Sequence, residues 1–152
     1  SNFEASKNLQ KEAENYGISQ NRLIFARRLP YEEHLKILKL GDLFLDTFPY
    51  NAHATAVDAL RVGLPVLTLM GKTIASRVAG SILKQVNLNE LISQNRENYK
   101  KKAIELAVNT NKLFQIKKKL INTIQHSPLL DSVKFTKDLE NIYINLVQEK
   151  HN

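Results

Sequence analysis

A doubly wound α/β layer, in which a parallel sheet carries helices on both faces, is the fold class predicted by three features of this sequence. Short apolar runs alternate along the chain with segments of helical periodicity. Each run is followed by a turn signal and then by a helix, the order that requires right-handed crossovers and parallel pairing. With 43% hydrophobic residues in 152, the chain also carries enough apolar side chains to bury the core of one domain.

The first expected element is a helix from about Phe3 to Tyr16, with Leu9, Ala13 and Tyr16 at helical spacing and Gly17 as its stop. Arg22-Leu23-Ile24-Phe25-Ala26 suits a buried strand, and Pro30 introduces a helix at Tyr31-Glu32-Glu33-His34. Asp42-Leu43-Phe44-Leu45-Asp46 repeats the strand signal. Phe48 to Asn51 make a turn, and Ala54 to Val62 form a helix stopped by Gly63. Pro65 to Met70 is the next strand, followed by a helix marked by Ile74, Val78 and Ile82. After Leu83 the periodicity predicts helices only, over Leu88 to Val108 and Asn111 to Ile124. Ser127-Pro128 then breaks the chain before a last amphipathic helix with Phe135, Leu139, Ile142, Tyr143 and Leu146. The C-terminal third is therefore helical. Without repeat, low-complexity tract or linker, residues 1–152 are expected to form a single lobe. Its sheet is small, so further strands are expected upstream of Ser1, and Ser1-Asn2 reads as a cloning remnant.

Composition narrows the function. No cysteine is present, which removes disulfide frameworks, thiolate metal sites and thiol redox chemistry and points to a reducing, cytoplasmic setting. The four histidines are scattered without metal-ligand spacing, so no metal is expected. No apolar run approaches a membrane span, and the N-terminus lacks the layout of a signal peptide, so no membrane partner is expected. A net charge of +7 favours anionic partners. Lys100 to Lys102 and Lys117 to Lys119, however, fall on segments that read as solvated helix faces. No aromatics interleave with them for base stacking, which argues against nucleic acid.

In open parallel sheets ligands collect beyond the carboxyl ends of the strands, where loops run into helix N-termini. The loop after Leu45 is the most informative: Asp46-Thr47-Phe48-Pro49-Tyr50-Asn51-Ala52-His53-Ala54-Thr55-Ala56-Val57-Asp58. A helix starting near His53 or Ala54 presents unpaired N–H groups and the positive end of its dipole, which suits a phosphate. Small Ala52 and Ala54 admit an anion to the backbone, Thr55 adds a hydroxyl, and Asp58, one turn on, is placed to accept from a ribose. The same residues also fit a plain helix start, with Asn51 as cap, His53 exposed and Asp58 favouring the dipole. The loop after Phe25 brings Leu29, Pro30, Tyr31 and His34 to the same expected edge, where an aromatic ring or imidazole can pack on a base or ribose. Met70-Gly71-Lys72-Thr73 imitates the end of a phosphate loop but fails its spacing. Val66 stands where the first glycine belongs, and no Gly-x-Gly-x-x-Gly fingerprint occurs. Ser76 and Ser81 fall within the predicted helix, not on a nucleophile elbow.

Taken in order, several stretches resemble the C-terminal catalytic lobe of the O-GlcNAc transferase and SPINDLY family, glycosyltransferase family 41, which includes bacterial tetratricopeptide-repeat transferases. They are Asn21 to Phe25, Glu32-Glu33-His34, Asp42 to Thr47, Asn51 to Asp58, Gly63-Leu64-Pro65-Val66, Ala75 to Ala79 and Ser127-Pro128-Leu129. The resemblance implies the Rossmann-like C-terminal half of a GT-B glycosyltransferase. It further implies a UDP-sugar donor, UDP-N-acetylglucosamine, as substrate, with no cofactor or metal, and a product in which protein Ser or Thr carries the sugar. Carried over, His53 and Thr55 face the diphosphate, Asp58 the ribose and His34 the uridine region, while the backbone near Leu29 meets the uracil edge; Ala54 and Tyr31 complete the expected nucleotide-sugar-binding set. The family usually has glycine at Ala52, threonine at Ala54, lysine at Tyr31 and, in animal enzymes, arginine at Ile37. The acceptor-side lobe, a phosphate-contacting lysine and the repeats that select the protein acceptor lie upstream in the family. No general base is therefore assigned here, and this chain alone is expected to bind nucleotide without transferring sugar. A noncatalytic nucleotide-binding or assembly module is the alternative in another class.

Overall fold

The computed structural model describes residues 2–151; Ser1, half of the pair read as a cloning remnant, lies outside them. Two compact units divide the chain at Lys36 and Ile37. In the first, Asn2 caps helix α1 (Phe3–Asn15) by accepting from the Glu4 amide at 3.0 Å. The helix stops at Gly17, whose φ of +74° fits a residue without Cβ. The Gly17 and Ile18 amides donate to the Glu14 and Ala13 carbonyls and close the last turn.

The segment from Arg22 to Ala26, expected as a strand, is not one. Gln20–Arg22 form a 3-10 turn, and the chain then runs without regular secondary structure to α2 (Tyr31–Leu38). A strand exists only where a neighbour takes up its backbone N–H and C=O groups, and this unit holds no second strand among its described residues. None of those residues is buried, and Ile24 is 91% exposed.

The second unit contains the sheet. Strand β1 (Phe44–Leu45) pairs in parallel with β2 (Val66–Leu69), and β2 pairs in parallel with β3 (Ile92–Ser93). Between β1 and β2 runs α3 (Ala54–Arg61), and between β2 and β3 a 3-10 turn at Ile74–Ser76 and α4 (Val78–Gln85). Helices α5 (Arg96–Val108), α6 (Thr110–Ile124) and α7 (Ser132–His151) complete the helical C-terminal third. All of β2 is buried because it is the central strand, and Val66, Leu67, Leu60, Leu83, Leu88 and Leu120 form the dry centre of the core. Gly63 ends α3 with φ +84°, a conformation costly for any residue with a side chain.

Strand β3 falls inside a stretch expected to be entirely helical. A turn at Asn89–Leu91 and the two strand residues precede α5, which starts only where Asn95 accepts from the Asn98 amide at 2.8 Å. Pairing with β2 buries Ile92 and Ser93, and that tertiary gain overrides the helical spacing around them. Part of the charge on the basic helices is paired within the fold: Lys112, Lys117 and Lys119 pair with Glu105, Asp42 and Glu90, and Lys102 donates to the Glu90 and Ile92 carbonyls.

Packing and exposure predict contrasting mutational costs. Leu83→Ala should lower the unfolding free energy by about 2–5 kcal/mol, whereas Ile24→Ala should change it by less than about 0.5 kcal/mol, both read by urea denaturation. Equal losses would mean that the segment around Ile24 is packed like the core.

Candidate functional site

One carboxyl group ties down the loop that leaves β1. Asp46 is 5% exposed and accepts at Oδ1 from the backbone amides of Thr47 (2.8 Å) and Ala52 (2.7 Å), and at Oδ2 from the Thr68 hydroxyl (2.6 Å). The Asp46 amide donates to the Leu67 carbonyl, and its carbonyl accepts from the Tyr99 hydroxyl at 2.8 Å. The loop thus closes on itself, on β2 and on α5 at a single residue. Burial, and then the nearby Asp46 charge, push the Tyr99 phenol up to about 12.

Asn51 is the second anchor. It is 1% exposed, donates from Nδ2 to the Thr47 and Leu69 carbonyls at 2.9 and 3.4 Å, and donates its amide to the Ala75 carbonyl. Asn51 does not cap α3, one of the roles its sequence position allowed: its Nδ2 is engaged with the loop and β2, and its Oδ1 is buried without a partner. The N-cap is His53, which makes no side-chain capping bond. The His53 carbonyl accepts from the Ala56 and Val57 amides. Among the described residues no acceptor faces the amides of His53, Ala54 and Thr55. Those donors, with Ala54 and Thr55 exposed, lie at the positive end of the α3 dipole and beyond the carboxyl end of β1, an arrangement suited to an anion.

The structure gathers His53, Ala54, Thr55 and the half-buried Asp58 on and beside the first turn of α3. His53 is half-buried instead of exposed. Its imidazole lies against the Tyr50 ring at 5.0 Å between centroids and 14° between planes, and its Nε2 is enclosed without a hydrogen-bond partner. Within the other unit, Leu29 is half-buried before Pro30, Tyr31 opens α2 at 49% exposure, and the half-buried His34 donates its amide to the Pro30 carbonyl.

Gly71-Lys72-Thr73 is engaged locally. Thr73 and Ser76 form a reciprocal capping box, and Arg77 donates from Nη1 to the Gly71 carbonyl at 3.1 Å. Beside the anchored loop, Asp46, Phe48, Leu69, Arg96 and Tyr99 line a cavity of about 210 Å³, with the Arg96 guanidinium 5.9 Å from the centre of the Phe48 ring. A larger cavity of about 740 Å³ lies along Leu43, Leu45, Leu106 and Phe114, and none of its lining residues belongs to the loop from Asp46 to Asp58. No cluster of three His, Cys, Asp or Glu among the described residues is placed to hold a metal ion. Among the described residues no helix is long and apolar enough to cross a membrane.

Sequence reasoning missed the roles of Asp46, Asn51, Tyr50 and Tyr99. The Asp46 contact with Tyr99 spans 53 positions and leaves no local pattern. An acidic residue directly after an apolar run, at the carboxyl end of a strand, was the available signal for Asp46.

Comparison with known proteins follows the same geometry. The profile described as Glycosyl transferase family 41 matches residues 2–139. The chain is 37% identical over 111 residues to a tomato (Solanum lycopersicum) protein described as a probable UDP-N-acetylglucosamine–peptide N-acetylglucosaminyltransferase SPINDLY, covering 73% of this chain and 12% of that protein. It is 34% identical over 131 residues to the Arabidopsis thaliana SEC protein of the same description, covering 86% and 13%. A solved mutant of the Thermobaculum terrenum O-GlcNAc transferase superposes with a TM-score of 0.85 at 31% identity, over 91% of this chain and 26% of that one. The chain thus spans about an eighth of the length of these curated relatives.

The raised Tyr99 phenol yields a pH prediction. An ultraviolet difference titration of the wild type against Tyr99→Phe should place Tyr99 ionisation at about 12, not near the ordinary phenol value of 10.0. Between those values the unfolded chain releases a proton that the folded chain retains, so Tyr99's contribution to stability falls as pH rises through that window. A difference midpoint near 10 would show that the phenol is not held against Asp46.

Proposed function

The chain belongs to glycosyl transferase family 41, and from that premise we propose that it is the donor-binding lobe of a transferase that moves N-acetylglucosamine from UDP-N-acetylglucosamine onto protein Ser or Thr. The observation that carries this is the start of α3, where the amides of His53, Ala54 and Thr55 lack acceptors and a buried carboxylate holds the loop before them in place. The matched relatives' descriptions name the same donor and a peptide acceptor.

In this proposal the diphosphate occupies the mouth of α3. Negative charge grows on it as the bond to the sugar breaks, and preorganised N–H groups, the helix dipole, His53 and the Thr55 hydroxyl stabilise that charge. Asp58 accepts from the ribose. Leu29, Tyr31 and His34 serve the uracil and uridine. The methyl of Ala54 leaves phosphate contact at that position to its backbone amide. Residues 1–152 act as one lobe of a GT-B enzyme of the cytoplasm. The acceptor-side lobe, the general base and tetratricopeptide repeats that select the acceptor belong to other parts of the parent protein, and no metal is assigned a role.

Titration of the isotope-labelled chain with UDP tests this. Amide shifts should cluster at Asn51 to Asp58 and at Leu29 to His34; shifts confined to the lysine-rich helices α5 and α6 would overturn it. In the full-length protein, Asp58→Ala should weaken donor binding about tenfold, the loss expected for a hydrogen bond to a charged acceptor, with the fold intact by circular dichroism. Nucleotide binding in a full-length protein that transfers no sugar would favour the noncatalytic module instead.

A further inference from the structure

His53 is held by an unusual combination of contacts. An imidazole normally takes its orientation from a hydrogen bond at one of its nitrogens. Here Nε2 is enclosed without a partner, and the side chain makes no capping bond to α3. Enclosing a polar nitrogen without a partner carries a desolvation cost, so the ring gains by turning toward water unless another contact restrains it. One contact that opposes this is the near-parallel Tyr50 ring, 5.0 Å away at 14°.

Tyr50 is itself placed for that task. The residue remains 65% exposed, so burial explains little of its presence in the loop. Its backbone, by contrast, is fixed at its carbonyl and at the residue that follows. The Thr47 hydroxyl donates to its carbonyl at 2.6 Å, and the next residue is the buried anchor Asn51. An aromatic ring on a pinned backbone gives a rigid platform, and stacking sets the plane of a neighbouring ring at little entropic cost.

We infer that Tyr50 is a positioning residue that fixes the plane of the His53 imidazole at the mouth of α3, and so determines how that imidazole meets a bound nucleoside diphosphate. This deepens the donor-binding proposal and rests on it. Tyr50 acts through His53, and no contact of its own with the ligand is invoked.

A double-mutant cycle in the full-length protein, with UDP affinity measured by calorimetry, tests this. Tyr50→Ala should weaken UDP binding about two- to tenfold, the range expected for loss of one aromatic stack. Tyr50→Phe, which keeps the ring, should bind as the wild type does. Tyr50→Leu, which keeps apolar bulk without an aromatic face, should behave like the alanine variant and guards against a folding defect in the latter. In a His53→Ala background, Tyr50→Ala should have no further effect, because residues acting through one contact are not additive. Full additivity of the two losses, or a Tyr50→Ala protein with unchanged affinity, would overturn the inference while leaving the nucleotide site standing. Absence of UDP binding by the wild-type protein would instead remove the donor-binding proposal, and this inference with it.

Discussion

The Asp46 carboxylate is the constraint on which the candidate site depends. Burying a carboxylate is costly unless its oxygens are hydrogen-bonded, and here the donors come from its own loop at Thr47 and Ala52 and from the central strand at Thr68. The same residue extends the β1–β2 ladder through its amide and receives α5 through the Tyr99 hydroxyl. Each hydrogen bond to such a charged group contributes about 1.5–3 kcal/mol. Release of Asp46 would therefore loosen several elements together. The consequence for function is geometric. The Ala52 amide is turned inward to Asp46, while the next amides, at the start of α3, are left without acceptors.

Much of this architecture was legible in the sequence, for reasons that individual residues make plain. Val66 to Leu69 read as a strand because a central parallel strand is buried on both faces and needs an unbroken apolar run. Gly17 and Gly63 marked helix ends because both adopt positive φ. β3 was illegible because, unlike the apolar run around β1, no apolar run of its own marks it, and its existence depends on pairing with β2. Arg22 to Ala26 failed in the opposite direction: its residues suit a strand, but its own unit offers no partner ladder. At the site, the first turn of α3 was legible as a local pattern of small and polar residues. The support beneath it was not, since Asp46, Thr68 and Tyr99 meet only through the fold.

Charge and apolar surface point the same way as the site geometry. The excess of lysine suggested a broad anionic partner, yet lysines on α5 and α6 are engaged with Asp42, Glu90, Glu105 and main-chain carbonyls. The anion-suited feature at the carboxyl end of β1 is local and is made of backbone amides. Meanwhile Phe135, Ile142, Tyr143 and Leu146 of α7 stay exposed, and so does Leu45 of the short edge strand β1. These faces belong to a chain that spans only 26% of the solved transferase it superposes on.

The most direct measurement of the central claim is a crystal structure of the full-length protein with UDP bound. The expected result places diphosphate oxygens within hydrogen-bonding distance of the amides at His53 to Thr55, with the Asp46 contacts to Ala52 and Thr68 intact. A diphosphate held away from α3, or a nucleotide that binds only after the loop from Asp46 to Ala52 has been rebuilt, would contradict it.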